Sequence, residues 1–221
     1  MKIGIIVAME KELNLLLHLL ENKTEVTVGD TTLHLGTIGS NEIAIARCGI
    51  GKVNAAVGAM TLIDSFHPSL VINTGVAGGV GADAGVLDVV VADAVAYHDF
   101  WCLGEEWGRV PGCPRLFRTA SLHVDFQDPT VKTGLIASGD LFVSKPEEVE
   151  HIRSIYPDVQ AVDMESAAIA QVCYLKNVPF YCLRVISDTP GGDDNISQYE
   201  YFWEDAPRHS FNVLHRILLS I

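Results

Sequence analysis

Short apolar runs rich in β-branched residues alternate along this 221-residue chain with segments of helical periodicity. Residues 2–7 form the first run, and after Glu10 leucines recur at the spacing of one helix face. The same patterns predict further strands at 68–74, 86–97, 131–137, 159–163 and 179–187. Further helices are predicted at 51–66, 144–156 and 164–176, and from near 199 or 207 to 219. This alternation predicts an α/β protein with helices on both faces of a central sheet.

Residues 23–48 follow a different pattern. Polar and apolar side chains alternate there, and turn residues interrupt them at Gly29-Asp30, Gly36 and Ser40-Asn41. This pattern predicts short antiparallel strands, so the central sheet should be mixed. No linker, low-complexity segment or internal repeat divides the chain, and residues 1–221 are therefore predicted to form one domain.

Composition excludes several classes of protein. A hydrophobic share of 48% can build a buried core, which argues against intrinsic disorder. The formal net charge of −13 and the lack of any Lys/Arg run argue against nucleic acid and anionic membranes as partners. No run approaches the roughly 18 apolar residues of a membrane helix, and no signal peptide is recognised. Five cysteines without a CxxC pair fit a reducing compartment, so we expect a cytoplasmic protein.

Two glycine clusters are candidates for ligand contact. Residues 49–52 (GIGK) lack the spacing of a phosphate-binding loop, and a tight turn between a strand and a helix is the simpler interpretation. Residues 75–79 (GVAGG) follow a strand expected at the centre of the sheet, where ligands of open α/β sheets bind. Backbone close to a ligand and a plain turn both remain open for this second cluster.

Three acids fall where strands end or helices begin, namely Glu12, Glu165 and Asp188. Each acid alone could be a helix cap or a turn residue. Arg184 lies inside an apolar strand, and a buried guanidinium needs a carboxylate partner. The sequence contains no GxSxG, HxH or HExxH motif, which argues against a serine nucleophile and a catalytic metal. Paired acids without either feature suit hydrolysis through an oxocarbenium-like transition state.

A set of short motifs carries a more specific signal. In chain order they are GIIVAMEKE (4–12), CGIGK (48–52), NTGVAGG (73–79), YHD (97–99), PGCP (111–114), SGD (138–140), VDMES (162–166) and RVISD (184–188). This ordered set resembles the 5′-methylthioadenosine/S-adenosylhomocysteine nucleosidases of the purine and uridine phosphorylase superfamily. The resemblance implies a three-layer α/β/α phosphorylase-type fold with a central mixed sheet. It also implies a cofactor-independent hydrolase, usually a homodimer in which a loop of the neighbour closes each site.

The resemblance implies a role for each acid. Glu12 would be the base that activates water for attack on the anomeric carbon, and Arg184 would steady Glu12 and the water. Asp188 would donate a proton to N7 of adenine, and Glu165 would hold the ribose hydroxyls. The remaining residues implied to bind substrate are Ala8, Ile50, Val76, Ala77, Gly78, Phe142, Val143, Asp163, Met164, Ser187 and Tyr199. The region around Trp101, Leu103 and Trp107 would face the 5′ substituent of the nucleoside, either in its own pocket or in that of a second subunit across a dimer interface.

Several positions depart from the family pattern and bear on substrate choice. Val76 replaces a common Ser, Asp163 replaces a Glu, and residues 189–194 form an unfamiliar, lid-like insertion followed by Tyr199 and Tyr201. Methylthioadenosine, S-adenosylhomocysteine, 5′-deoxyadenosine and aminofutalosine remain candidate substrates. A phosphate-dependent nucleoside phosphorylase and a non-catalytic nucleoside-binding protein are the alternative functions. Glu12 favours water over phosphate, because a carboxylate at that position would repel the anion.

Overall fold

The computed structural model describes residues 1–122, 128–205 and 207–221, excluding the side chains of residues 204–212. The strands in this part of the chain are β1 (Lys2–Val7), β2 (Glu21–Val28), β3 (Thr31–Ile38), β4 (Asn41–Arg47), β5 (Leu70–Gly79), β6 (Val89–Tyr97), β7 (Phe117–Arg118), β8 (Val131–Ser138), β9 (Val159–Asp163) and β10 (Phe180–Asp188). The helices are α1 (Glu10–Leu17), α2 (Lys52–Phe66), α3 (Pro146–Ile155), α4 (Ser166–Lys176), α5 (Asn195–Asp205) and α6 (Pro207–Ser220).

All ten strands belong to one mixed sheet, in the order β10-β6-β8-β9-β5-β1-β4-β3-β2, with β7 paired to β6. Strand β10 also pairs with β5, so five strands close into a ring and the others extend from it as an open sheet. The sheet contains both parallel pairs, such as β1–β4 and β5–β10, and antiparallel pairs, such as β3–β4 and β5–β9. The predicted mixed sheet is confirmed.

Apolar side chains cover both faces of this sheet. Helices α2 and α4 pack on one face through residues such as Leu62 and Ile169. Helices α1 and α6 pack on the other face through Leu16 and Leu214, together with Phe202 of α5. The three-layer α/β/α prediction is therefore confirmed. None of the helices in the described ranges is long and apolar enough to span a bilayer.

The glycine cluster at 75–79 is strand rather than turn, and the plain-turn alternative is wrong. Strand β5 continues to Gly79, and its last two residues pair with Val162 and Ala161 of β9. A Cβ on Gly78 would lie 2.4 Å from Cγ of Pro190. The glycines therefore allow neighbouring segments to approach the strand closely, where larger side chains would clash.

Several predicted helix boundaries also shift. The helix predicted from residue 164 begins at Ser166, which leaves Met164 and Glu165 in the preceding turn. The helix predicted from residue 144 begins at Pro146, and the Glu148 carboxylate accepts from the Ser144 and Lys145 N–H groups that precede it. The C-terminal region contains two helices, α5 and α6, in place of one.

Candidate active site

A pocket opens at the carboxyl ends of β1, β5 and β10, and it gathers residues that are far apart in sequence. It contains every residue predicted to be catalytic or to bind substrate except Arg184, without the aromatic region predicted near the 5′ substituent: Ala8, Glu12, Ile50, Val76, Ala77, Gly78, Phe142, Val143, Asp163, Met164, Glu165, Ser187, Asp188 and Tyr199. Met9, Leu141 and Val162 also line it and were not predicted. Each is the chain neighbour of a predicted residue, which is the only signal the sequence offered for them.

Glu12 is held at one end of the pocket by the main chain. Its Oε2 accepts from the N–H groups of Ala8 and Met9, both at 2.9 Å, and its Oε1 accepts from the N–H of Val76 at 3.0 Å. The side chain is 1% exposed. Burial raises the pKa of Glu12, and the Arg184 charge and these three N–H groups oppose that rise. The carboxyl group is therefore fixed in position and more basic than an exposed glutamate.

Gly75 makes room for this arrangement. A Cβ at this position would lie 2.3 Å from Oε1 of Glu12 and 2.5 Å from Nη1 of Arg184. The backbone φ of +147° also lies in the region that side chains rarely adopt. Glycine at residue 75 thus leaves the space in which the carboxyl group and the guanidinium both approach β5.

Arg184 lies behind the pocket wall, and its direct partner differs from the predicted one. Its Nη2 lies 2.5 Å from Oδ2 of Asp163 and 2.7 Å from Oδ1 of Asn73, with Oε2 of Glu165 at 3.7 Å. No ion pair joins Arg184 to Glu12 among the described residues, so it acts on Glu12 by charge alone. A buried guanidinium needs a carboxylate partner, and the Asp163 side chain provides one within the strand layer, whereas the Arg184 Nε has no hydrogen-bond partner among the described residues.

The Asp163 carboxylate is consequently engaged within the protein. Besides Arg184, it accepts from the Ser166 hydroxyl at 2.9 Å. Asp163 borders the pocket, as predicted, but these contacts and a further one from the Ser166 N–H direct its carboxylate toward the protein rather than toward a ligand. Its role in this geometry is to hold Arg184 and the start of α4.

Glu165 caps the junction between β9 and α4 and faces the pocket. Its Oε1 accepts from the Gly51 N–H at 2.9 Å. Burial raises the pKa of Glu165 to about 7, with Arg184 opposing the rise and Asp163 adding to it. The contact ties the glycine turn at 49–52 to the pocket, where Gly49 and Gly51 have φ near +92° and +93°. This is the tight turn that the sequence predicted.

A charged cluster links the same turn to the opposite pocket wall. Asp99 Oδ2 accepts from Lys52 Nζ at 2.7 Å and from the Asp140 N–H at 2.8 Å. Asp140 Oδ1 in turn accepts from the Lys52 N–H at 2.7 Å. These bonds fix the start of the loop that carries Phe142 relative to the start of α2. We refer to Lys52, Asp99 and Asp140 as the loop clasp.

Asp188 stands at the other end of the pocket and is held by side chains. The Ser187 hydroxyl lies 2.5 Å from its Oδ1, and the Asn195 amide donates to its Oδ2. Burial raises the pKa of Asp188, and these two donors oppose the rise. Asn195 was not predicted from the sequence, because its hydrogen bond to Asp188 depends on the path of residues 189–194. That segment is tied back by a bond from the Gly191 N–H to the Ser144 carbonyl.

Aromatic side chains form part of the pocket wall. The rings of Phe142 and Tyr199 meet edge to face with centroids 5.5 Å apart, and the Tyr199 hydroxyl lies 3.4 Å from Sδ of Met9. Within this chain, Trp101, Leu103 and Trp107 do not line the described pocket. Trp107 instead donates to the His98 carbonyl at 2.7 Å, so its indole is fixed outside the cleft.

The arrangement suits acid–base chemistry on an organic ligand. Two buried carboxyl groups with raised pKa values stand in one cleft, with apolar and aromatic surface between them. Within the described residues, no group of three or more His, Cys, Asp or Glu side chains is placed to hold a metal ion. The residues themselves supply groups that can accept and donate protons.

Comparison with known proteins places this geometry among related chains. The model of the phosphorylase superfamily matches residues 2–219. A 5′-methylthioadenosine/S-adenosylhomocysteine nucleosidase of Anoxybacillus flavithermus is 40% identical, over 97% of this chain and 96% of that protein. The solved nucleosidase of S. pneumoniae, bound to the transition-state inhibitor MT-ImmA, is 38% identical with a TM-score of 0.94, covering 100% and 99% of the two chains. The corresponding enzyme of Colwellia psychrerythraea, in complex with adenine, is 35% identical with a TM-score of 0.90, covering 99% and 94%.

Proposed function

The chain belongs to the phosphorylase superfamily and, within it, to the 5′-methylthioadenosine/S-adenosylhomocysteine nucleosidases, and we propose that Glu12 and Asp188 are the base and the acid of this activity. The enzyme hydrolyses the N-glycosidic bond of 5′-modified adenosines and releases adenine. The observation that carries the assignment of roles is that two buried carboxyl groups with raised pKa values line one cleft and are held by different donors.

Glu12 is suited to activate water. Three main-chain N–H groups fix both of its oxygens, so the carboxylate is oriented before substrate arrives. Its raised pKa makes it a stronger base than an exposed glutamate, and the Arg184 charge together with the three N–H groups favours its ionised form. The attacking water gives its proton to Glu12 as its oxygen bonds to the anomeric carbon.

Asp188 is suited to protonate the leaving base. Because burial raises its pKa, Asp188 keeps a proton to higher pH than an exposed aspartate does. Donation to N7 lets adenine leave as a neutral base when the bond from N9 to the sugar breaks. Each such proton transfer typically contributes about 10²–10⁴-fold in rate.

The remaining pocket residues orient the nucleoside. Glu165 faces the cleft beside Arg184 and can accept bonds from the ribose hydroxyls, with the Met164 main chain beside it. Phe142 and Val143 offer an apolar surface and a main chain to the flat adenine ring, and Tyr199 covers the cleft from α5. Ala8, Ala77 and Gly78 leave space for the sugar and water, while Ile50 and Val76 provide apolar walls.

The charges in the pocket favour water over phosphate as the nucleophile. Glu12, Glu165 and Asp163 are all acidic, and the Arg184 guanidinium is already paired with Asp163. A phosphate anion would therefore meet repulsion without a free cation among the described side chains of the pocket wall.

The test is adenine release in phosphate-free buffer. Methylthioadenosine, S-adenosylhomocysteine, 5′-deoxyadenosine, aminofutalosine and inosine are compared, and the free base is quantified by chromatography. We expect adenine from the 5′-modified adenosines without phosphate and little hypoxanthine from inosine. Strict dependence on phosphate would identify a phosphorylase. Binding without turnover, unchanged in Glu12→Gln and Asp188→Asn, would identify a nucleoside-binding protein.

We also propose that the working enzyme is a homodimer formed through the surface beside the pocket mouth. Large apolar side chains are exposed there, on α2 at Val53 and Val57 and on the 100–109 loop at Trp101 and Leu103. Leu103 is 85% and Val53 75% exposed, and apolar side chains grouped on a surface mark contact sites between proteins. A second copy covering this face would bring its own 100–109 loop to the open side of the pocket. Sedimentation of wild type and Val57→Asp tests this, with a smaller species and a raised KM expected for the variant.

We propose that residues 1–221 act as one domain, since all described strands belong to a single sheet. We further propose a cytoplasmic location, which the five free cysteines support because thiols persist in reducing compartments. Adenine nucleoside and water are the small-molecule partners, and the acidic net charge of −13 argues against nucleic acid or membrane binding.

A further inference from the structure

Asp188 has a partner that lies outside the pocket. Asn195, the first residue of α5, is 2% exposed, and its Nδ2 donates to Oδ2 of Asp188. Asn195 is absent from the pocket wall, whereas Asp188 and Ser187 belong to it. The amide therefore reaches the acid from the protein side, where it does not touch a ligand in the cleft.

The other end of the Asn195 amide is left without a partner. Its Oδ1 is buried, and no described group donates a hydrogen bond to it. A buried acceptor without a donor destabilises a folded protein, so an apolar side chain would suit this position better if only packing mattered. An amide that is satisfied only where it meets Asp188 points to a role in the site.

The surroundings of Asp188 offer little else that stabilises its charge. Glu12 from α1, Glu165 from the turn before α4 and Asp163 from β9 share the pocket with it, and Tyr199 approaches from α5. No Lys, Arg or His forms an ion pair with Asp188 among the side chains that the structure describes. The hydrogen bonds from Ser187 and Asn195 are the contacts that favour its carboxylate form.

We propose that Asn195 is a positioning residue that aims the Asp188 carboxyl group and stabilises the carboxylate that forms when its proton moves to adenine. The proposal rests on the proposed function of Asp188 as the acid. In the step, the O–H bond of Asp188 breaks, its electron pair stays on the carboxylate, and an N–H bond forms at N7. The electron pair of the sugar–N9 bond passes to the leaving adenine. The Asn195 N–H then donates to a charged oxygen, a bond about twice as strong as one to a neutral oxygen.

The test compares Asn195→Ala with Asp188→Asn and the double variant. We expect Asn195→Ala to lower kcat roughly 10- to 100-fold with little change in KM, because the lost bond strengthens only as charge develops. Without this donor the carboxylate is less stable, so the high-pH limb of kcat moves to higher pH. In the Asp188→Asn background, measured by single turnover, Asn195→Ala should add less than about a twofold loss, because both act on one carboxyl group.

A matched variant separates this role from support of the helix. Gln198 lies on the same helix and holds the same segment by bonds to the Thr189 N–H and the Asp194 carboxylate, without touching Asp188. Gln198→Ala should leave the high-pH limb of kcat in place, and thermal unfolding should show whether each variant folds. Asn195→Ser replaces Asn195→Ala if the latter unfolds.

Two results would overturn the inference while leaving Asp188 as the acid. They are an unmoved pH limb in folded Asn195 variants, and losses that multiply fully in the double variant. A different result, wild-type turnover by Asp188→Asn, would overturn the proposed function itself. The single variants thus distinguish failure of the acid from failure of its support.

Discussion

The two ends of the pocket hold their carboxyl groups by different means. Glu12 is fixed by three main-chain N–H groups, from Ala8, Met9 and Val76. Asp188 is fixed by two side chains, from Ser187 and Asn195. The first end is formed by β1, β5 and the start of α1, and the second by the end of β10 and the start of α5.

This difference follows from what each end must do. A base that positions water needs one fixed direction, which main-chain donors anchored in central strands provide without side-chain freedom. An acid that must carry and release a proton needs donors whose hydrogen bonds can adjust. The Ser187 hydroxyl has one proton and two acceptors within range, Asp188 Oδ1 at 2.5 Å and the Ala77 carbonyl at 3.3 Å. Its hydrogen bond can therefore follow the protonation state of Asp188.

The largest effect should come from changing the side chain held by the main chain. In Glu12→Gln an NH₂ group would replace one carboxylate oxygen that now accepts hydrogen bonds from the main chain, so it would oppose the N–H donors. The variant would also lack the carboxylate that acts as the base. We expect kcat to fall by about 10³-fold. Glu10→Gln is the matched control, because Glu10 pairs with Arg47 at 3.0 Å on the surface. Adenine release by both variants is measured at saturating substrate, and a Glu12→Gln rate within threefold of wild type would contradict the assignment.

A methyl group added to β5 at residue 75 should displace Glu12 and so impair the same part of the pocket. In Gly75→Ala the new Cβ would overlap Glu12 and Arg184, so we expect the free energy of unfolding to fall by about 1–3 kcal/mol. Turnover should fall roughly 100-fold, because Glu12 must move from its three donors. Gly85→Ala is the control, since its Cβ would meet its nearest atom, Oδ2 of Asp88, at 3.6 Å. Urea unfolding and kcat are measured, and equal stability of the two variants would contradict the clash.

The pH dependence of the free energy of unfolding tests the buried acids of the pocket, and Glu165 above all. Glu165 has a pKa of about 7 in the fold against 4.5 as its ordinary value, so the folded state binds more protons between these values. Stability should therefore be highest at low pH within this window and fall as pH rises from about 4.5 to 7. The raised pKa values of Glu12 and Asp188 act in the same direction.

Replacing Glu165 should remove part of that slope. Denaturant unfolding of Glu165→Gln across the same pH range is compared with exposed Glu147→Gln, which should keep the wild-type slope. A steeper fall in Glu165→Gln than in wild type would show that the sign is wrong.

The smallest effect should come from the loop clasp, which is partly exposed. Asp99→Asn removes the charge that pairs with Lys52, and ion pairs at such positions contribute less than about 1 kcal/mol. We expect KM to rise roughly threefold with kcat nearly unchanged, because the clasp orders a pocket wall without touching the reacting atoms. Glu106→Gln, which breaks a surface pair with Arg109 at 2.9 Å, is the control. A larger loss in kcat than in KM would mean that the clasp affects the chemistry directly.

The three acids of the site could be predicted from the sequence, but the groups that hold them in place could not. Glu12, Glu165 and Asp188 could be found because each lies where a strand ends or the next helix begins, and such junctions meet at one edge of the sheet. Hydrophobic periodicity predicted the strands and helices for the same reason, since burial of one face imposes it. These features depend on local sequence, which a single chain displays.

The features that the sequence did not predict depend on contacts between segments that are distant along the chain. The choice of Asp163 as the partner of Arg184 depends on how β9 and β10 lie in space, and the sequence shows only that some carboxylate is needed. The glycines of β5 resemble a turn locally, yet their neighbours Glu12, Pro190 and Ile186 come from other segments. Asn195 gives no local signal, because its hydrogen bond depends on the path of residues 189–194.

The main-chain support of Glu12 has a consequence for how such an enzyme can change over generations. Every amino acid except proline supplies a peptide N–H, so most substitutions at residues 8, 9 and 76 can alter the pocket lining while the base keeps its donors. Val76 illustrates this, since its side chain lines the cleft while its N–H serves Glu12. New nucleoside preferences can therefore arise by point mutation at the wall of this pocket without loss of the hydrolytic base.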